Sequence, residues 1–214
     1  MARYKSILQF QGSIDGLVFY ELNGVSVVRK KSGFNRDDFK TKENYARVRE
    51  NSSEFGHCSK TGKMLRNAIY PYYKKCGDSY LYQKFAKLMT AIKDLDRISE
   101  RGKRTVHQGL KTTEGKRLLS SFVFGKIPSA KDFIKKTSYD DGISVELNTP
   151  LPLSSLHLVS ILPNYESYRF EIQEQKVSAD NGIFTFDSYF QEGEALQFVA
   201  IYDGEEILGM GFLG

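Results

Sequence analysis

The period of the apolar positions changes twice along the chain. Up to about residue 31 it is two. In Tyr4-Lys5-Ser6-Ile7-Leu8-Gln9-Phe10, Tyr4, Ser6, Leu8 and Phe10 fall on one side and Lys5, Ile7 and Gln9 on the other, as in extended chain. Two further β-branched and aromatic runs, LVFYEL and VSVVRKK, flank Asn23-Gly24. That dipeptide signals a hairpin, because both central turn residues need φ > 0. The pattern predicts a three-stranded antiparallel meander.

Residues 32–40 (SGFNRDDFK) read as a loop with capping character. From about Thr41 the period becomes helical. Tyr45, Val48, Phe55, Cys58, Gly62, Leu65 and Ile69 fall three or four apart over much of the run, which predicts one helix face, and Pro71 closes it. Leu81, Phe85, Leu88, Ile92 and Leu95 give a second helix with 4-3-4-3 spacing, ending near Arg101-Gly102. A short third helix is expected around Glu114–Ser121, and FVFGKIPSAKDF reads as a short strand and a connection.

From Tyr139 the signal is β throughout. The candidate strands are ISVELN, SLHLVSIL, YRFEIQEQKV, GIFTF, ALQFVAIY and EEILGMGF. Asp141-Gly142, Asn181-Gly182 and Asp203-Gly204 mark turns, and Pro150 and Pro152 lie in a loop. Closely spaced short strands of this kind fit a small immunoglobulin-like sandwich or a related barrel, here without the inter-sheet cysteine pair. The expected fold class is α+β: an N-terminal β-hairpin sheet with two or three helices, then a small all-β immunoglobulin-like sandwich.

Charge sharpens that division. The net +5 combines a balance of +16 over residues 1–136 with one of −11 over residues 137–214. So sharp a reversal argues for two modules, a basic α+β one at 1–136 and an acidic all-β one at 137–214. No apolar run approaches the ~20 residues of a membrane span. The N-terminus has no continuous apolar core of a secretory signal. Two cysteines make neither a disulfide framework nor a metal knuckle. A reducing cytoplasm is the expected location.

One stretch looks like a phosphate loop: Glu54-Phe55-Gly56-His57-Cys58-Ser59-Lys60-Thr61-Gly62-Lys63-Met64-Leu65. A P-loop needs four residues between its glycines, a hydroxyl after the lysine, and a place between strand and helix. Here five residues separate Gly56 and Gly62, Met64 stands at the hydroxyl position, and the segment lies inside a helical run. The helix explains the residues better: Gly62 admits a close neighbour while Lys60 and Lys63 face water. His57, Cys58, Cys76 and His107 lack the tight ligand pairs of a structural zinc site, and free thiols are the expected reading. His157 is a packed or edge histidine. Asp37-Asp38, Asp140-Asp141 and Glu205-Glu206 are adjacent pairs suited to turns or solvation, not to an acid/base dyad. No nucleophile elbow, zinc-protease motif or dinucleotide fingerprint occurs. Neither a catalytic set nor a cofactor is read from the sequence.

The cations do form clusters. Arg29, Lys30 and Lys31 leave the hairpin; Arg47 and Arg49 follow. Lys60, Lys63 and Arg66 recur every three residues. Tyr72, Tyr73, Lys74 and Lys75 mix aromatic planes with charge, and Arg101, Lys103 and Arg104 add a last cluster. Lysine and arginine contact phosphates, and aromatic planes stack on unpaired bases. The expected function is therefore non-enzymatic binding of a polyanion, nucleic acid first among them. The opposed charges also suit a self-assembling structural subunit, joined head to tail into a ring or filament, with exposed sheet edges assisting. An enzyme whose site forms only in the fold is a third alternative.

Two segments, GSIDGLVFYELNGVSVVRKK and RENSSEFGHCSKTGKMLRNAI, resemble a family of hypothetical Bacteroidota proteins. Those carry an N-terminal G-x-I-x-x-L-x-F-Y hairpin, an Arg-Glu-Asn helix and a β-rich C-terminal half. The resemblance covers most of the first 70 residues and, loosely, the layout of the rest. It implies the two-part architecture and a bacterial origin. The family has no assigned activity, so no site residue carries over.

Overall fold

The computed structural model describes residues 2–5, 10–31, 33, 36–139, 142–148, 154–178, 182–191 and 193–214. Helix and strand are both abundant, and the sheets are antiparallel. The chain divides into two compact units, 1–49 and 50–214.

In the first unit, β1 (Ala2–Arg3), β2 (Gly12–Ile14), β3 (Leu17–Leu22) and β4 (Val25–Lys30) form a sheet in the order β1-β4-β3-β2. Asn23 (φ 52°) and Gly24 (φ 76°) make the tight turn that their sequence predicts. Asp15 (φ 46°) and Gly16 (φ 74°) make a second one between β2 and β3. The expected first strand is not formed at Tyr4, Lys5 or Phe10; Ser6–Gln9 lie outside the described residues. Tyr4 and Phe10 instead set their rings against Phe19, at 5.5 and 6.3 Å between centroids. Part of the expected loop is helix α1 (Arg36–Thr41). Arg49 donates to the carbonyls of Phe39 (2.6 Å) and Lys42 (2.9 Å), satisfying acceptors that a helix end leaves open.

In the second unit, helices α2 (Ala46–Ala68, shared with the first unit), α3 (Tyr70–Tyr73), α4 (Leu81–Lys93), α5 (Val106–Leu110) and α6 (Thr113–Ser120) precede seven strands. These are β5 (Ile134–Ser138), β6 (Ile143–Leu147), β7 (Ser154–Asn164), β8 (Arg169–Ser178), β9 (Ile183–Phe186), β10 (Leu196–Asp203) and β11 (Glu206–Phe212). They form two antiparallel sheets, β11-β10-β7-β8 and β5-β6-β9.

The four-stranded sheet has a core on each face. Val159, Ile161, Phe198, Ala200, Met210 and Phe212 join Leu65, Ile69, Phe85, Met89 and Ile92 of the helices. Leu156, Leu158, Val199 and Ile201 join Val145, Phe184 and Phe186 of the other sheet. Successive side chains of a strand point to opposite faces, so β7 and β10 are apolar almost without interruption. The change of charge at 136/137 falls within β5 and is no boundary in packing: one apolar cluster spans residues 58–212.

Several local expectations change. Pro71 starts the short α3 rather than closing α2, a place where its missing N–H is no loss. Phe122–Pro128 contains no strand; Phe124 is fully buried among Phe85, Phe198 and Phe212. Along α2 the buried face includes Cys58, Gly62 and Leu65, with Ile69 buried just beyond, but Val48 (48%) and Phe55 (62%) are exposed and Glu54 is buried in place of Phe55. No helix among the described residues is long and apolar enough to cross a membrane.

Gly109 of α5 lies directly on the Ile92 carbonyl of α4, where an added Cβ would overlap backbone. Gly109→Ala is expected to destabilise by about 3 kcal/mol, the upper range for overpacking, because backbone cannot swing aside. Gly56 in α2 has open space around it, so Gly56→Ala should stabilise by up to ~1 kcal/mol through helix propensity. Denaturant unfolding of the two variants checks both signs.

Candidate anion-binding cleft

The site begins with a charge that α2 turns inward. Glu54 is 3% exposed and Lys93 of α4 is 5% exposed. The Glu54 carboxylate accepts from Lys93 Nζ (2.7 Å), from Arg104 Nε (2.8 Å) and Nη2 (2.7 Å), and from the Gly102 backbone N–H (2.7 Å). Buried charge is tolerated where it is paired and fully hydrogen-bonded. Arg104 holds the Glu54 carboxyl down to about 2 against the opposing effect of burial, with help from Lys93 and Gly102. Asp94 pairs with both Lys93 and Arg104. Asp96, also buried, accepts from the N–H groups of Ile98, Ser99 and Thr105. The loop 97–105 is thereby pinned to α2 and α4.

Above this knot lies an open cleft of about 440 Å³ between α2, the loop 102–105 and the β7–β8 turn. From α2 come Ser52, Ser53, His57 and Lys60; the loop gives Lys103 and Arg104, and the turn gives Tyr168. Tyr168 has φ +54°, a left-handed conformation uncommon for a bulky residue and a kind of strain that gathers at ligand sites. Its hydroxyl lies 3.0 Å from His57 Nδ1, and Lys60 Nζ sits 5.0 Å from its ring centroid. The Val106 backbone N–H donates to His57 Nε2 (3.0 Å). The ring proton is therefore on Nδ1, which donates to Tyr168 Oη and leaves the phenol proton to be donated elsewhere. Burial, then the Lys60 charge, push His57 below its ordinary range.

The other candidates divide by what they already hold. Arg29, Lys30, Lys31 and Arg47 of the first unit are exposed, whereas Arg49 is the helix-end donor described above. In the second unit Lys60, Lys63, Lys74 and Lys75 are exposed and enter no ion pair among the described residues. Lys74 lies over Tyr70 and Lys75 over Tyr202, each 5.7 Å from the ring centroid. Arg66 is half-buried over Phe85 at 5.8 Å, with Tyr73 as hydrogen-bond partner. Arg101 pairs with Glu50 (3.3 Å), Lys103 with Glu100 (2.9 Å) and Arg104 with Glu54. Tyr72 corrects the base-stacking expectation: it is buried, with its hydroxyl donated to Glu174 at 2.7 Å, because its ring fills the core beside Phe198. Cys58 and Cys76 are buried free thiols. Tyr168, Ser52 and Ser53 escaped sequence reasoning, and His57 figures there only as a metal ligand or half of a Cys/His pair; only the positive φ at Tyr168 sets one of them apart, and no residue type announces that.

Glu54→Gln should cost about 3–5 kcal/mol in denaturant unfolding, since it leaves the Lys93 ammonium buried with a weaker partner. Histidine supplies a separate pH dependence. Burial is the first cause lowering His57, His107 and His157, with Lys60, Lys111 and Lys176 adding to it respectively. A group lowered in the fold contributes stability that is complete above its unfolded value, about 6.5, and is lost as pH falls below it. The melting temperature is expected to drop between about pH 7 and pH 5, above the carboxylate range, and His57→Gln should reduce that drop. A melting temperature that holds or rises over this interval would refute the assignment. No protein-family model, no curated protein and no solved structure matches the chain, so side-chain geometry alone speaks for its function.

Proposed function

We propose that the chain is a non-enzymatic binding protein whose basic helical face holds a polyanion, with single-stranded nucleic acid as the favoured ligand. Lys60, Lys63 and Asn67 are exposed and spaced 3-4 along one side of α2, and exposed Tyr70 and Lys74 follow in the chain, in α3 and just after it. At 1.5 Å per residue the stretch from Lys60 to Asn67 is about 10 Å long, room for more than one phosphate in succession. Tyr70 is 52% exposed and offers the aromatic plane that buried Tyr72 does not.

The observation that carries this reading is where the ion pairs go. Cations of α2–α6 and their connections pair with carboxylates from residues 50–136: Glu50, Glu54, Asp78, Asp94, Glu100 and Glu114. Among the described residues, no carboxylate of the acidic strands forms an ion pair with the exposed lysine row. Its field is left for an external anion.

We also read the two C-terminal sheets as an immunoglobulin-like sandwich. Of their seven strands, the first, second and fifth share one sheet and the third, fourth, sixth and seventh the other. The constant-type arrangement keeps the fourth strand with the first, second and fifth; here β8 has changed sheets.

Fluorescence anisotropy with a labelled single-stranded oligonucleotide tests the binding reading. The dissociation constant should rise steeply with salt, and replacing Lys60, Lys63 and Lys74 together by Gln should flatten the log–log slope by about 2. A salt-independent response, or an unchanged slope in the variant, overturns it.

A further inference from the structure

We infer that the cleft between α2, the loop 102–105 and the β7–β8 turn is a receptor for a phosphate monoester, the end of a nucleic-acid strand or a free nucleotide. The inference rests on the polyanion reading and names the group this site selects. It starts from what the cleft offers in hydrogen bonding. Among the described residues the one carboxylate in its lining is Glu54, and it already accepts four hydrogen bonds from Lys93, Arg104 and Gly102. The neighbouring imidazole is used on both sides, accepting from Val106 and donating to Tyr168. What remains to face a ligand is a set of donors: Lys60, Lys103, the Tyr168 hydroxyl and the serine hydroxyls of α2. A ligand there must be rich in acceptors and negatively charged.

Geometry separates a monoester from a diester. The donors stand on three different elements, so they approach from three sides. A terminal phosphate has three free oxygens to meet them, whereas a diester in mid-strand has two and must also pass its chain through. Lys103 is free to take part. Its pair with Glu100 joins side chains that are 77% and 79% exposed, and such surface pairs contribute little. Lys60 belongs both to the cleft and to the exposed row, so a strand lying along α2 would bring its end here.

Isothermal titration with thymidine 5′-monophosphate and with thymidine tests the cleft directly. The nucleotide should bind and the nucleoside should not. Lys103→Gln, a surface change with no packing role, and Tyr168→Phe, which keeps the ring, should each weaken binding about tenfold, the loss of one charge-assisted hydrogen bond. Strands carrying a 5′-phosphate, a 3′-phosphate or hydroxyl ends give the second arm, in which a phosphorylated end should bind about tenfold tighter. Equal response to nucleotide and nucleoside, or variants that bind as the parent does, overturns the inference. Salt-sensitive strand binding with no preference for phosphorylated ends also overturns it while leaving the helix-face reading intact. Nucleotide binding without binding of unphosphorylated strands upholds the cleft and removes the helix face.

Discussion

Burial of one sheet on both faces is the constraint from which the second unit follows. β7 and β10 must satisfy a helical layer with one set of alternating side chains and a second sheet with the other. Fully burying a large apolar side chain is worth ~1.5–3 kcal/mol, and Phe198, Leu158, Ile161 and Leu156 are all fully buried in these strands. Neither layer could withdraw without exposing that surface. Basic helices after residue 49 and acidic strands therefore share one packing unit, because apolar area and not charge decides where the layers meet.

That packing also places the site. The turn between β7 and β8 reaches the helical layer, where Tyr165 stacks on His107 at 4.7 Å with rings 8° from parallel. Tyr168 then meets His57 and Lys60 from the same turn. On the other wall, the Glu54 knot fixes the loop that carries Lys103 and Arg104. A buried ion-pair network need not add stability over an apolar alternative. Here it has a second consequence, in that it consumes the one carboxylate that the described residues bring to the cleft and leaves donors facing outward.

Much of this fold was legible where one physical rule dominates a segment. Asn23-Gly24 demanded positive φ and made a hairpin, and the spacing of Leu81, Phe85 and Ile92 announced α4. Each of the six strand segments after Tyr139 became a strand. The signal of Asp15-Gly16 was equally available. β5 was hidden because its lysines face water and a bulge between Ile134 and Lys136 breaks its alternation. Glu54 and Phe55 defied the helix pattern for a different reason: a carboxylate is buried only when remote partners satisfy it, and Arg104 lies 50 residues away. His57 and Tyr168 are 111 residues apart. Periodicity reports a residue's own element and not what a distant turn will set against it, so the cleft had no local signature.

Charge asymmetry now takes a different meaning from simple pairing. If the acidic strands neutralised the basic helices, their carboxylates would lie against the lysines, and the layer between them is apolar instead. Glu171, Glu205 and Glu206 are exposed on strand edges and turns. Under the proposed polyanion reading, a polyanion on the strand side would meet repulsion, while one along α2 would meet lysines that, among the described residues, enter no ion pair. On that reading the reversal of sign would serve as orientation, with the basic helices toward phosphate and the acidic strands away from it.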